Sequence, residues 1–244
     1  MNIRLRQLLR FDKSQARSEA GVTLVELIVS IGLFGILATL IVSSFTIFSQ
    51  TLSKDRIATE NINVATVGMN QLTRVVRAST SVPQPGSTDK IPFELAEAEQ
   101  LTLYAYIDTN SSTPKPVKIR FAVNTTTREL TETRWIAQPR SGYPSYWDFP
   151  ATASSSKVIA RRIVVPAAGE APMFSYYKIK PDLTEELMVI PAGGLVALDR
   201  AKIAVIEVRV KVQSDDRKRA APATIVNRVG IPNLGISRLG TSTS

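Results

Sequence analysis

The hydrophobic pattern of this chain changes character three times. Residues 22–48 read VTLVELIVSIGLFGILATLIVSSFTIF, an apolar run with a single charge, Glu26. About 20 apolar residues suffice to cross a bilayer as a helix, so this run is long enough to span one. From Ser49 to Ser79 there is no proline and one glycine, Gly68, and apolar residues recur at Leu52, Ile57, Val64, Val67, Leu72, Val75 and Val76. That spacing predicts an amphipathic continuation of the same helix, with Val64, Val67, Leu72 and Val75 as its core-facing stripe. At about 1.5 Å per residue, an unbroken helix over 22–79 would span roughly 87 Å. The breaker cluster Ser79-Thr80-Ser81-Val82-Pro83-Gln84-Pro85-Gly86 ends it.

From about residue 100 the period drops to two, the signature of strands with one wet face. Leu101, Leu103, Ala105 and Ile107 alternate with Thr102, Tyr104 and Tyr106; Val117, Ile119, Phe121 and Val123 alternate with Lys118, Arg120 and Ala122. The turn residues Asn124–Thr127 lead into Arg128–Trp135, which reads as a β-hairpin. Further strands are predicted around 157–165, 173–180 and 186–190. Over 203–212, Ala204, Ile206, Val208, Val210 and Val212 face one way and Glu207, Arg209 and Lys211 the other. A last strand covers Ala223 to Val229. Residues 109–116 and 138–156 read as linkers. The second holds Tyr143, Tyr146, Trp147 and Phe149, a cluster expected to pin an irregular loop to the core or to stack on a partner.

The expected class is α+β: a long N-terminal helix, membrane-spanning in its first half, packed on an antiparallel β-sheet domain. The boundaries fall at 1–21 (basic leader), 22–48 (spanning segment), 49–82 (amphipathic continuation), 83–236 (β-rich domain) and 237–244 (tail).

Charge refines this picture at the N-terminus. The first 21 residues carry Arg4, Arg6, Arg10, Lys13 and Arg17 against Asp12 and Glu19, a net +3 out of +9 for the whole chain. A basic flank of this kind stays cytoplasmic, which directs everything after the span to the extracytoplasmic side. The remaining excess is a solubility feature or favours an acidic partner such as DNA or anionic lipid. The chain has no cysteine and no histidine, which removes disulfides, thiol nucleophiles and His-based acid–base catalysis. No nucleophile-elbow, phosphate-loop or dinucleotide-binding pattern occurs, so no catalytic residue, cofactor or metal site is assigned. Glu94, Glu97 and Glu99, and Asp182, Glu185 and Glu186, are clusters without metal-loop spacing and read as solvated carboxylates.

Glu26 stands out. A carboxylate within an apolar span costs on the order of 2.5–3.5 kcal/mol at a helix centre and less near an end, so it calls for a partner. The stretch Gly21-Val22-Thr23-Leu24-Val25-Glu26, behind a basic leader and before an apolar span, resembles the processing site of type IV prepilins and type II secretion pseudopilins. The resemblance implies cleavage after Gly21 by a prepilin peptidase, with Val22 as the new N-terminus, the position methylated in that family, and Glu26 as the fifth mature residue. Thr23 and Leu24 fit the same pattern. Val22 stands where Phe or Met is most frequent, and Ser43 where a kink-forming proline is frequent. Val22 and Glu26 are four apart, which places them on one face of a continuous helix. The new ammonium would then neutralise the carboxylate, within one subunit or between neighbours.

The order of elements is similar to the larger J-type minor pseudopilins and their pilus counterparts, in VKIRFAVNTTTRELTETRW, KVIARRIVVP, FSYY and IAVIEVRVKV. The resemblance implies a structural, non-enzymatic subunit at the inner membrane. Its partners would be the peptidase, other pilin or pseudopilin subunits, an inner-membrane assembly platform and the lipid bilayer. Two other readings stay open. One is a DNA-uptake pilin contacting nucleic acid through Arg217, Lys218 and Arg219 in the run DDRKR. The other is a membrane-tethered binding module that forms no filament.

Overall fold

A computed structural model describes residues 21–86, 88–107, 114–215, 217 and 220–231. The leader to Ala20, and the tail predicted for 237–244, lie outside the described residues. The chain divides into two compact units between Leu52 and Ser53. One helix, α1 (Leu24–Arg77), crosses that division without a break.

In the first unit, α1 buries nothing: no residue from Gly21 to Leu52 is buried, and the large apolar side chains are more than half exposed. Its threonines are accommodated within the helix itself. The hydroxyls of Thr39, Thr46 and Thr51 donate to the carbonyls of Gly35, Val42 and Ile47 at 2.8, 2.8 and 3.0 Å. Each hydroxyl is thereby satisfied inside an apolar segment. This part of α1 is long and apolar enough to cross a membrane.

In the second unit, residues 53–77 of α1 lie on two antiparallel sheets, giving an α+β, pilin-like architecture. The first sheet has the order β1-β2-β3-β4-β7, from β1 (Phe93–Ala96), β2 (Gln100–Ala105), β3 (Val117–Asn124), β4 (Glu129–Ile136) and β7 (Ser155–Arg161). The second has the order β11-β10-β8-β9, from β8 (Phe174–Ile179), β9 (Glu185–Leu187), β10 (Val205–Val212) and β11 (Ala223–Gly230). The segment after β7 stitches the sheets together. Ile163 bridges Val212, and the Val164 and Gln213 amides donate to the carbonyls of Lys211 and Arg162.

The β3–β4 hairpin forms as expected, and its turn shows why. Asn124 Oδ1 accepts the amides of Thr126 and Thr127 at 2.9 and 3.0 Å, while Arg128 takes the left-handed conformation (φ 57°). The alternation on β10 is also as expected: Ile206, Val208, Val210 and Val212 are buried, and the charged residues between them are not.

Four expectations are corrected. The core-facing stripe of α1 is Asn61, Ala65, Gly68, Met69, Leu72, Val75 and Val76, with Val64 packed against the core as expected, whereas Val67 is 62% exposed. The phase is set at Gly68, where a Cβ would lie 3.0 Å from the Ala160 Cβ on β7. The helix approaches the strand so closely there that a small residue, not a valine, occupies the contact. Second, β2 is not half wet: Leu101 through Ala105 are all buried. Tyr104, on its outer face, enters a second apolar cluster with Val82, Ala137 and Trp147.

The third correction supplies that cluster's cover. Residues 138–148 are not a linker but a short hairpin, β5 (Gln138–Arg140) and β6 (Tyr143–Asp148). Trp147 is buried in the cluster, Phe149 packs against it, and the Phe149 ring meets Tyr104 at 5.0 Å. Tyr143 and Tyr146 instead pair edge-to-face, with Tyr143 exposed. The fourth is the end of β7, which stops at Arg161 rather than near 165 because Arg162 has φ 57° and turns the chain out of the strand. The short helix α2 (Ala197–Arg200) and strand β1 carried no sequence expectation. They are tied by Arg200, whose side chain donates to the carbonyls of Phe93 and Leu195 at 3.0 and 2.6 Å.

Candidate processing and assembly site

The segment expected to be cut and assembled is the start of α1. Gly21 and Val22 are exposed and non-helical, and the helix begins at Leu24. Thr23 sets that beginning. Its hydroxyl accepts the Glu26 amide at 3.2 Å, and its carbonyl accepts the Leu27 amide at 3.0 Å. Thr23 is therefore the N-cap, with Glu26 three residues on, the Thr-x-x-Glu spacing of a capping box. Val22, just before the cap, stands at the position from which an apolar residue packs on the fourth helical residue, here Leu27.

This geometry corrects one expectation. Val22 and Glu26 are not on one face of a continuous helix, because the helix does not reach Val22. In the uncut chain the Val22 nitrogen is a peptide nitrogen with no charge to offer, and of the free amide donors of the first turn that of Glu26 finds the Thr23 hydroxyl. Glu26 is exposed and makes no ion pair among the described residues. It still sits in the first turn, where a carboxylate complements the positive end of the helix dipole. Leu24 is the first helical residue and is 74% exposed. The cap is legible in the sequence as Thr23-x-x-Glu26.

The other candidates are dispersed. Of the basic run, Lys218 and Arg219 lie outside the described residues; Arg217 is exposed, and its amide donates to Asp215 Oδ1 at 3.1 Å. The loop that carries it is anchored on α1. Asn61, fully buried, accepts the Ser214 amide at 2.6 Å and donates to the Ala221 carbonyl at 3.2 Å. Asn61 drew no notice in the sequence, where one asparagine in a polar helix half carries no signal.

The acidic clusters do not converge. Glu94 takes Tyr104 and Lys118 as partners, while Glu99 accepts the Met173 amide. Asp182 caps the Thr184 turn, Glu185 pairs with Arg228, and Glu186 with Lys178 and Lys180.

Residues 16–42 match the prokaryotic N-terminal methylation motif. No curated protein matches the chain. The matched segment covers the end of the leader, Gly21, the capped start of α1 and most of the apolar half. It supports a type IV pilin-like subunit that is processed by a prepilin peptidase and anchored by an apolar helix. Subunits with this motif are typically structural, not enzymatic.

Proposed function

We propose that the chain is a minor pilin or pseudopilin. It is cut between Gly21 and Val22 on the cytoplasmic side, held in the inner membrane by residues 22–48, and drawn into a filament through Glu26 while residues 83–236 face outward. The observation that carries this reading is the first half of α1: a capped helix with no buried face, one carboxylate in its first turn, and an exposed, non-helical Gly21–Val22 bond ahead of the cap.

Each part has a physical role. A peptidase needs its substrate bond outside a helix, and the Thr23 cap leaves Gly21–Val22 in that state. Cleavage places an ammonium at Val22, near the positive end of the helix dipole, which is unfavourable. The Glu26 carboxylate offsets that charge. Among packed helices it does so most effectively across subunits, where both charges leave water together and neither stays unpaired. Thr23 and Leu24 hold the register between the cut bond and the helix.

The test follows the chain in strains with and without the prepilin peptidase. The expected product is shorter by the 21-residue leader, begins at Val22 by N-terminal sequencing, and appears in sheared filaments. Glu26→Ala is expected to be cut normally but to drop out of the filament fraction. Identical mobility in both strains would overturn the processing step. Normal incorporation of Glu26→Ala would favour a membrane-tethered module over a filament subunit.

A further inference from the structure

The two large sheets present four outer strands, and three are closed to further pairing. β1 has four residues and a break in register, and its Phe93 and Ala96 carbonyls accept the Arg200 side chain and the Leu195 amide at 3.0 and 2.9 Å. β7 carries Lys157 and Arg161, and its ladder with β4 is broken between Leu130 and Thr131. β9 has three residues, two of them glutamates. Short, bulged or charged outer strands of this kind discourage pairing with another chain. β11 has none of these protections. Its eight residues pair with β10 in unbroken register, from Gly230 opposite Val205 to Ala223 opposite Val212, without proline, lysine or bulge. No described residue outside β10 exchanges a backbone hydrogen bond with it.

The one charge on β11 is turned away from its open side. Arg228 pairs with Glu185 of β9 at 2.8 Å and with Glu207 of β10 at 3.5 Å, and it lies 4.2 Å over the Tyr177 ring of β8. Val226, on the same outward face, is 44% exposed. The other face of β11 meets α1, where Asn227 Nδ2 donates to Thr73 Oγ1 at 3.0 Å. Thr73 also lines an open cavity of about 500 Å³, together with Asn70, Arg74, Arg77 and Ala78. Arg74 donates to the neutral side chain of Gln71 at 3.2 Å, and neither Arg74 nor Arg77 has a carboxylate partner among the described residues. Two guanidiniums without counter-charge therefore stand beside the strand whose backbone is open.

We infer that β11 takes up an extended peptide segment of another protein as a further antiparallel strand, with an acidic side chain directed at Arg74 and Arg77. An open row of backbone N–H and C=O groups is complementary to another extended backbone, and alternate side chains then supply the specificity. Side chains directly opposite in such a pair share one face, with Cβ atoms about 4.5–5.5 Å apart. The residue opposite Asn227 therefore enters on the α1 side, the side of the cavity, and a glutamate there meets the two guanidiniums. Its sequence neighbours fall on the outward face beside Val226 and Arg228, where an apolar residue covers the exposed valine. The pattern recognised is apolar–Glu–apolar in an extended segment. A second copy of β11 does not supply it, because ATIVNRVG holds no carboxylate. This inference concerns strand pairing alone and survives failure of the filament reading.

The test is fluorescence anisotropy of a dye-labelled peptide, Thr-Thr-Val-Glu-Val-Thr-Thr, titrated with the full chain in detergent micelles. Saturable binding is expected. Glutamine in place of the peptide's glutamate is expected to weaken it about three-fold, the effect of an exposed ion pair, with the gap closing in about 1 M salt. Successive N–H groups of a strand point to opposite sides, so N-methylation at the glutamate and at the valine after it blocks opposite edges of the peptide. One of these two forms is expected to lose binding and the other to keep it. Arg74→Gln/Arg77→Gln is expected to erase the preference for glutamate and to leave the affinity of the glutamine peptide unchanged. On the protein, alternate amides of β11 are expected to exchange more slowly with peptide bound, with β3 unchanged. Absence of saturable binding, or equal affinity for the two N-methylated forms, would overturn the proposal. So would slow exchange at those amides without peptide that is lost on dilution, the mark of a second copy on the strand. Should the arginine variant lose its far-UV dichroism, the glutamate and glutamine peptides on the unmodified chain decide.

Discussion

The two halves of α1 share one backbone conformation and differ in almost everything else. From Leu24 to Leu52 the helix is apolar on every side, and no side chain is buried. From Ser53 to Arg77 it is mixed in polarity, and Asn61, Ala65, Gly68, Met69, Leu72, Val75 and Val76 are buried along one face. The second half finds its partners within its own chain. The first half presents a complete apolar surface for which the described residues supply no cover, and a helix hydrophobic all round is stable only inside lipid or among other helices. The difference teaches that the helix serves two solvents, and that the same truncation weighs heavily on one side of Leu52 and little on the other.

The sharpest way to break the comparison is to cut the same side chain in both halves. Leu72 is fully buried and Leu33 is 63% exposed. In urea unfolding of the full chain in micelles, Leu72→Ala is expected to destabilise the second unit by about 2–5 kcal/mol. Leu33→Ala is expected to change that transition by less than about 0.5 kcal/mol. Equal losses would mean that the apolar half folds against the sheet domain and the contrast has no basis.

Glycine sharpens it further. At Gly68 a Cβ meets Ala160, whereas at Gly35 it meets open space. Gly68→Leu is expected to cost about 1–3 kcal/mol by overpacking, with part of the loss recovered in Gly68→Leu/Ala160→Gly. Gly35→Ala is expected to do no harm and to gain up to about 1 kcal/mol of helix propensity. The unfolding midpoint measures the Gly68 variants, with the double variant as the discriminating one, and amide exchange along residues 24–52 in micelles measures Gly35→Ala.

What was legible in the sequence follows from the same physics. The apolar run, the period-two strands on β3 and β10 and the Asn124 turn announce themselves, because each depends on residues adjacent in the chain. The phase of the buried stripe on α1 did not, since it is fixed by the approach of Ala160, some ninety residues away. Nor did the β5–β6 hairpin, whose strands are short and carry Pro139 and Pro144, and which exists because Trp147 and Phe149 cover Tyr104. At the candidate site, Gly21, Thr23, Leu24 and Glu26 could be picked out as a motif. The helix start could not be placed from apolarity alone, because Val22 is as apolar as its neighbours and only the Thr23 hydroxyl marks the boundary.

A buried polar residue tests the second half in a different way. Asn61→Ala removes the partner of the Ser214 amide and of the Ala221 carbonyl. The expected loss is about 1–3 kcal/mol, for the backbone groups left unsatisfied. Faster amide exchange at Ser214, with little change on β3, would localise it to the β10–β11 connection. Uniform exchange across both sheets would instead make Asn61 a general support of the core.

The smallest effect is expected at the other end of the helix. Thr23→Ala deletes the hydroxyl that accepts the Glu26 amide, and an N-cap of this kind contributes about 0.5–2 kcal/mol to its helix. The loss falls on the first turn, not on the sheet domain, so the urea transition should hardly move. The reporting measurement is amide exchange at Glu26 and Leu27 in micelles: faster in Thr23→Ala, near the original rate in Thr23→Ser. The same pair of variants bears on processing. If the cap holds the register between the Gly21–Val22 bond and the helix, Thr23→Ala should be cut more slowly by the peptidase while Thr23→Ser is cut normally. Rapid exchange without slower cutting would show that the peptidase reads the residues and not the helix start, and would separate the two roles that Thr23 here combines.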